Sequence, residues 1–335
     1  LMYTYQTDAE NRVVGAEFRA ENYFTGYMKS VVDGEMPTVY FLSGHDEVPL
    51  SQMKQLSANL GNYNYGAKEL NLMTDAAIPA DCCILVIASP RTDLTDEEYK
   101  KITAYTEKGG HLSVLMNPDD SDTVYQNLER LLSNYCIGMN FDRVSHKDTY
   151  AMMCDIIQAN TETGEDLTAG LLPTVNNIVT YMPSSRSFYT VYGTNFGKLT
   201  ADTLIRTQTT AKSVPCGGRL LDPQTVEGEN LVLSMYVIDT EHENSKLIVF
   251  GSSDFLTDTG AGNAYFINPL QLFLTSVTWM YNSDLDMNIQ NKERTYDSLN
   301  VNSSSEASGL IALFIGFPVL VAAAGVVIWL RRKDA

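Results

Sequence analysis

Residues 309–330 form an unbroken apolar run without a single charge, closed by Arg331, Arg332 and Lys333. An α-helix rises about 1.5 Å per residue and needs roughly 20 apolar residues to cross a hydrocarbon core of about 30 Å. The run is long enough, and Trp329 stands where an interfacial aromatic would. The positive-inside bias puts the Arg-Arg-Lys cluster in the cytoplasm. The expectation is therefore one C-terminal transmembrane helix at the cell membrane, a cytoplasmic tail at 331–335, and a main domain that is extracytoplasmic. A buried core helix is the alternative, and three positive charges directly after the run argue against it. This orientation requires an export segment upstream, and Leu1–Gln6 is too short and polar to be one. The sequence is thus expected to be a fragment of a protein with two membrane helices bracketing an external domain.

The net charge of −18 would repel polyphosphate chains, which excludes nucleic acid as a partner. Hydrophobic residues make up 44% of the chain, enough for one large domain or two ordinary ones. The five cysteines, Cys82, Cys83, Cys136, Cys154 and Cys216, are odd in number and irregular in spacing. They read as small apolar packing groups rather than a disulfide framework.

Along the chain, apolar runs alternate with helical patterns. Phe24, Tyr27, Met28 and Val31 repeat at helical spacing, and the run Thr38–Leu42 reads as a buried parallel strand. Leu50, Met53, Leu56 and Leu60 mark a second helix, and Glu69–Leu72 a short strand. Cys82–Ala88 and His111–Met116 are further buried strands. Between them Thr95–Glu98 has the capping-box pattern of a helix that closes at Gly109 and Gly110. Val124, Leu128, Leu131, Leu132 and Tyr135 mark the next helix. The predicted fold is α/β, a parallel sheet with helices on both faces, over residues 1–150. Residues 151–240 are turn-rich, with short β segments at Asn177–Tyr181, Phe188–Tyr192 and Leu231–Ile238, and suggest a β-rich insertion or second lobe. The α/β style returns at 241–290 with strand Lys246–Phe250 and a helix carrying Leu270, Phe273, Leu274, Val277 and Tyr281. Residues 291–308 read as a membrane-proximal linker.

The segments VYFLSGHDE (Val39–Glu47), IPAD (Ile78–Asp81), Ala88–Pro90, the Thr95–Glu98 helix ending in Gly109 and Gly110, and Asn117–Asp119 resemble the auxiliary-protein family of gliding-motility-type (GldG-like) ABC transport systems. VFGSSDF (Val249–Phe255), Asn268, Trp279 and the closing GVVIWLRRK (Gly325–Lys333) extend the likeness, which is loose over about 140–230. The resemblance implies an extracytoplasmic accessory subunit of an ABC-2-type permease and its cytoplasmic ATPase, binding or scaffolding rather than catalytic, with no cofactor. The first region also resembles class I glutamine-amidotransferase-like domains, related to a domain of intraflagellar-transport proteins. Enzymatic members hold a nucleophilic Cys in a strained Gly-x-Cys-x-Gly elbow. Here the corresponding strand runs into Ala88-Ser89-Pro90-Arg91, and Pro90 and the missing glycines are expected to remove that geometry.

Other motifs are poor. Gly193–Lys198 lacks the spacing and the Ser or Thr of a phosphate loop, and Gly260–Tyr265 lacks the third glycine of a dinucleotide site. Asp119, Asp120 and Asp122 lack the glycine and terminal Glu of a calcium loop, and the four His show no zinc spacing, so no metal is expected. In open parallel sheets ligands sit beyond the carboxyl ends of strands. His45, Glu47, Ser89, Asn117, Asp119, Ser253 and Asp254 all lie just after predicted strands and are the candidate ligand-binding residues. Their hydroxyl, amide and carboxylate groups suit a carbohydrate or peptide; the alternative role is capping helices and tightening turns. Competing functions are a surface hydrolase or amidotransferase-like enzyme using His45 with Glu47 or Ser253 with Asp254, and a ligand sensor without a transporter.

Overall fold

Consecutive buried positions, rather than alternating ones, mark a strand covered on both faces. Thr38–Leu42, Cys82–Ala88, His111–Leu115 and Ser245–Phe250 have this pattern, and all are strands in the computed structural model. The structure describes residues 3–7, 13–18, 36–146, 151–157, 178–192, 195–208, 211–217, 226–227, 230–281, 292–295 and 317–333. The predicted helix through Phe24 and Val31 lies outside them.

The chain divides into two units, Leu1–Ala20 with Asn291–Ala335, and Glu21–Gln290. In the first, strands β1 (Tyr3–Thr7) and β2 (Val13–Phe18) pair antiparallel, and Lys292–Thr295 joins β2 on its other side. Lys292–Thr295 belongs to the segment read as a linker from sequence, and is a strand. The same unit holds the helix Phe317–Lys333.

The larger unit is built on β3 (Thr38–Leu42), α1 (Lys54–Asn62), β4 (Gly66–Leu70), β5 (Cys82–Ala88), α2 (Asp96–Thr106), β6 (His111–Leu115) and α3 (Gln126–Ser133). Short strands β7 (Ile137–Met139), β8 (Asp142–Ser145), β9 (Ala151–Ile156), β10 (Val179–Pro183), β11 (Phe188–Thr190) and β12 (Asn195–Phe196) follow. Then come β13 (Leu199–Thr207), β14 (Lys212–Pro215), β15 (Val226–Glu227), β16 (Val232–Asp239), β17 (Ser245–Phe250) and the long helix Ile267–Tyr281.

Strands β4, β3, β5, β6 and β17 are parallel neighbours in that order. Numbered by chain position this is 2-1-3-4-5, the flavodoxin-like doubly wound order. Side chains alternate across the sheet. Val39, Phe41 and Val86 face α1 (Leu56, Leu60) and the long helix (Phe273, Val277). Tyr40, Leu42, Leu85, Ile87, Leu112 and Val114 face α2 (Tyr99, Ile102) and α3 (Leu128, Leu131, Leu132). Each fully buried aliphatic side chain there contributes about 1.5–3 kcal/mol over exposure. The middle segment is neither separate nor detached. β16 pairs antiparallel with β17, and β13, β9 and β10 continue outward, so most of the β-rich region extends the same sheet, while β14 pairs with β15 and β8 in a separate three-stranded sheet.

Gly193–Lys198 includes part of a hairpin. β12 pairs with the start of β13 and Gly197 has φ 62°, a conformation glycine adopts freely.

Among the described residues no helix is long and apolar enough to cross a membrane. The helix Phe317–Lys333 has 17 residues, about 25 Å at the α-helical rise. Gly309–Gly316, the start of the apolar run, lies outside the described residues.

Candidate functional site

Doubly wound sheets bind ligands where the strand order reverses, here between the carboxyl ends of β3 and β5. That crevice is closed by the chain itself. Residues 43–49 leave β3 and cross to β5: Val48 N–H donates to Ala88 O (3.1 Å), Arg91 N–H to His45 O (2.7 Å), and Ser43 N–H to Leu70 O on the β4 side (2.9 Å). The tight path needs left-handed backbone at Gly44 (φ 126°) and Asp46 (φ 56°).

His45 is folded into the crevice and is 1% exposed. Its Nδ1 lies 2.9 Å from Glu47 Oε1 and its Nε2 3.0 Å from Glu98 Oε2, while its backbone N–H donates to Glu47 Oε2 (2.7 Å). Burial pulls an imidazolium's pKa down, but the hydrogen bonds and charges of Glu47 and Glu98 outweigh it, and the net direction is up from 6.5. Glu98 is itself the capping-box residue of α2. Its Oε2 accepts from Thr95 N–H (2.9 Å) and Thr95 Oγ1 (2.7 Å), and Thr95 Oγ1 accepts from Glu98 N–H. One buried carboxylate thus caps a helix and grips the histidine. The capping-box pattern makes the cap legible in the sequence but not the second role, because His45 lies 53 positions from Glu98.

Ser89, Asn117, Ser253 and Asp254 form a second group, at the ends of β5, β6 and β17. Asn117 N–H donates to Ser89 Oγ (2.8 Å), Ser253 Oγ to Ser89 Oγ (3.0 Å) and Asn117 Oδ1 (3.2 Å), Ser253 N–H to Asn117 Oδ1 (2.5 Å), and Asn117 Nδ2 to Asp254 Oδ1 (2.7 Å). This network ties three parallel strand ends together. Ser89 has φ 54°, so the left-handed turn after β5 persists despite Pro90 and the missing glycines. The geometry expected to be lost is kept in part, because Ser89 N–H still bonds Leu115 O (2.8 Å) and holds the turn. Ser89 and Ser253 are both buried.

Asp119 belongs to neither group. It accepts from Ser121 N–H (3.0 Å) and Ser121 Oγ (2.7 Å) and faces Arg91 at 3.7 Å. Burial pushes this carboxyl up, and the Ser121 bonds with the Arg91 and Arg186 charges more than reverse it, holding it below its ordinary value. Arg186 had no sequence signal. It is fully buried, with its guanidinium 4.9 Å from the centre of the Phe141 ring, and its Nε has no hydrogen-bond partner.

Beside the closed crevice is a cavity of about 200 Å³ edged by Asp46, Glu47 and Glu69. Glu69 Oε1 accepts from Leu50 N–H (2.8 Å) and Glu47 holds His45, so two of these three carboxylates already serve the loop. Among the described residues no group of three or more His, Cys, Asp or Glu side chains is placed to hold a metal ion. All five cysteines are free thiols. Burial pushes Cys82 up to about 11 and raises the other four, which disfavours thiolate chemistry.

Fold and site together define a doubly wound α/β protein whose switch-point crevice is filled by its own loop. Residues 36–200 match a family described as an ABC-type uncharacterized transport system. Among solved structures, the mmIFT52 N-terminal domain is similar at 17% identity and TM-score 0.55, over 74% of this chain and 99% of that one, a likeness of fold. A ThuA-like protein from Parabacteroides merdae (10% identity, TM-score 0.44, covering 73% of this chain and 89% of that one) is more distant. So is a glutamine amidotransferase from Thermotoga maritima (8%, TM-score 0.40, 74% and 100%). No curated protein matches the sequence.

Proposed function

We propose that this chain is a transport-associated accessory protein, a non-catalytic extracytoplasmic domain held at the cell membrane by residues 309–330 and working beside an ABC-2-type permease and its cytoplasmic ATPase. The observation that carries the reading is the match of residues 36–200 to an ABC-type transport-system family. The gliding-motility-type subgroup is its finer form and rests on the Val249–Phe255 and Gly325–Lys333 segments.

Two features support it. Leu320 and Trp329 in the helix Phe317–Lys333 are 70% and 60% exposed, an apolar surface that suits lipid, and Arg331, Arg332 and Lys333 fill its last turn. The groups a hydrolase would use, His45 with Glu47 and Ser253 with Asp254, are bonded to one another or to neighbouring strand ends, which suits structural duty. A tagged chain isolated from native membranes in mild detergent should bring down a multi-span permease and an ATPase, identified by mass spectrometry. Isolation of the chain without either would refute the reading.

A further inference from the structure

A second cavity, of about 370 Å³, lies between α3 and the β7–β11 pair. Its floor is aromatic. Tyr189 pairs with Gly138 across the two strands, and a Cβ at Gly138 would overlap the far end of the Tyr189 ring, so the ring tip sits directly over bare backbone. Its other side is open, since Tyr189 is 48% exposed, and Val191 lines the cavity with it. The wall is polar. Gln126, Glu129, Arg130 and Ser133 recur at i, i+3, i+4 and i+7 and so share one stripe of α3, while Leu128, Leu131 and Leu132 bury the opposite stripe. Arg130 is braced by its guanidinium 4.2 Å from the centre of the Tyr99 ring.

We propose that this cavity is a carbohydrate-binding site that seats a neutral pyranose residue on Tyr189. A pyranose is amphipathic in the same sense as the cavity: a flat C–H face that stacks on an aromatic ring, and an edge of hydroxyls, each both donor and acceptor. The wall answers with guanidinium donors, a carboxylate acceptor, the Gln126 amide, which does both, and the Ser133 hydroxyl, whose proton goes to Arg130 O (2.8 Å) and whose oxygen is left to accept. The volume falls within the range of small-molecule pockets. The chain's net charge of −18 disfavours acidic glycans, hence the neutral sugar. None of the residues lining this site is among the strand-end residues singled out above, and the site does not depend on the transport assignment.

The test is calorimetric titration of the full chain, in mild detergent, with two neutral oligosaccharides, cellohexaose and the fully N-acetylated chitohexaose. The wild type should bind at least one. Tyr189→Ala should weaken that binding by about tenfold or more, and Tyr189→Phe should keep it within about twofold, because stacking needs the ring and not the phenol. Gly138→Ala, which pushes the ring off its seat, should weaken it as Tyr189→Ala does. Should either variant fail to fold, Gln126→Ala on the exposed helix stripe takes its place and should weaken binding several-fold. Failure of the wild type to bind either sugar, binding unchanged in Tyr189→Ala or Gln126→Ala, or capture of a proline-rich peptide at Tyr189 in place of sugar would overturn the proposal.

Discussion

Replacing Glu98 by Ala tests how the closed crevice is held. Glu98 is 0% exposed, and its Oε2 is the shared acceptor for His45 Nε2 at 3.0 Å, Thr95 N–H at 2.9 Å and Thr95 Oγ1 at 2.7 Å. Its removal orphans buried donors, each costing about 1–3 kcal/mol, and strips half of a capping box. Breaking a buried pair by deleting one partner costs about 3–5 kcal/mol, and the two routes agree. For a unit of this size about 2–4 °C is lost per kcal/mol, so the melting temperature should fall by on the order of 10 °C. The pH dependence carries the sign. The folded-state pKa of His45 lies above 6.5, so its stabilisation is fully present below pH 6.5 and is lost as pH rises through that folded pKa. The gap between wild type and Glu98→Ala, read by circular-dichroism melts, should be widest below pH 6.5 and narrow as the pH rises through the folded pKa. Other titrating groups cancel in the difference. A variant melting within about 1 °C of wild type, or a gap that does not change with pH, would refute the latch.

His111 should act in the opposite sense: burial first, and then the Lys246 charge, press it down to about 4, so stability is lost as pH falls from 6.5 toward 4, and His111→Asn should flatten that acid limb in melts. Ser253→Ala removes the hydroxyl that joins Ser89 to Asn117 and should cost about 1–3 kcal/mol in urea unfolding; no change in midpoint would mean the network is slack. Ile102→Ala opens a cavity beneath α2 and should cost about 2–5 kcal/mol, measured the same way. A thiol reagent at neutral pH should label Cys83 and Cys154 only after denaturation; fast native labelling of either would contradict their burial.

The parallel core was legible because Thr38–Leu42, Cys82–Ala88 and His111–Leu115 are buried on both faces and so read as continuous apolar runs. β4 was read a few residues late, as Glu69–Leu72, because Gly66–Leu70 is an edge strand with only Leu70 buried. β13 escaped notice: Leu199–Thr207 mixes Thr, Asp and Arg with its apolar positions, although it sits between β9 and β16. That β16 extends the core sheet through antiparallel pairing with β17 is a register fact, and neither strand's sequence names its partner. Among the site residues, strand-end placement was visible for Ser89, Asn117 and Ser253, but their mutual bonding follows from the order of β5, β6 and β17 in the sheet. His45 stood out as the best polar cluster with Glu47. Its third member, Glu98, is 53 positions away and was hidden behind its own capping duty.

His45 seals the switch-point crevice, and its ring nitrogens report this directly. In long-range proton–nitrogen NMR spectra of the full chain in mild detergent, at pH 6.5, His45 should show both Nδ1 and Nε2 protonated, bonded to Glu47 and Glu98, with N–H protons that exchange slowly with water and titrate only above that pH. An imidazole that titrates at or below pH 6.5 and exchanges its protons freely would show an open crevice, and would contradict the claim that the chain has filled its own ligand site.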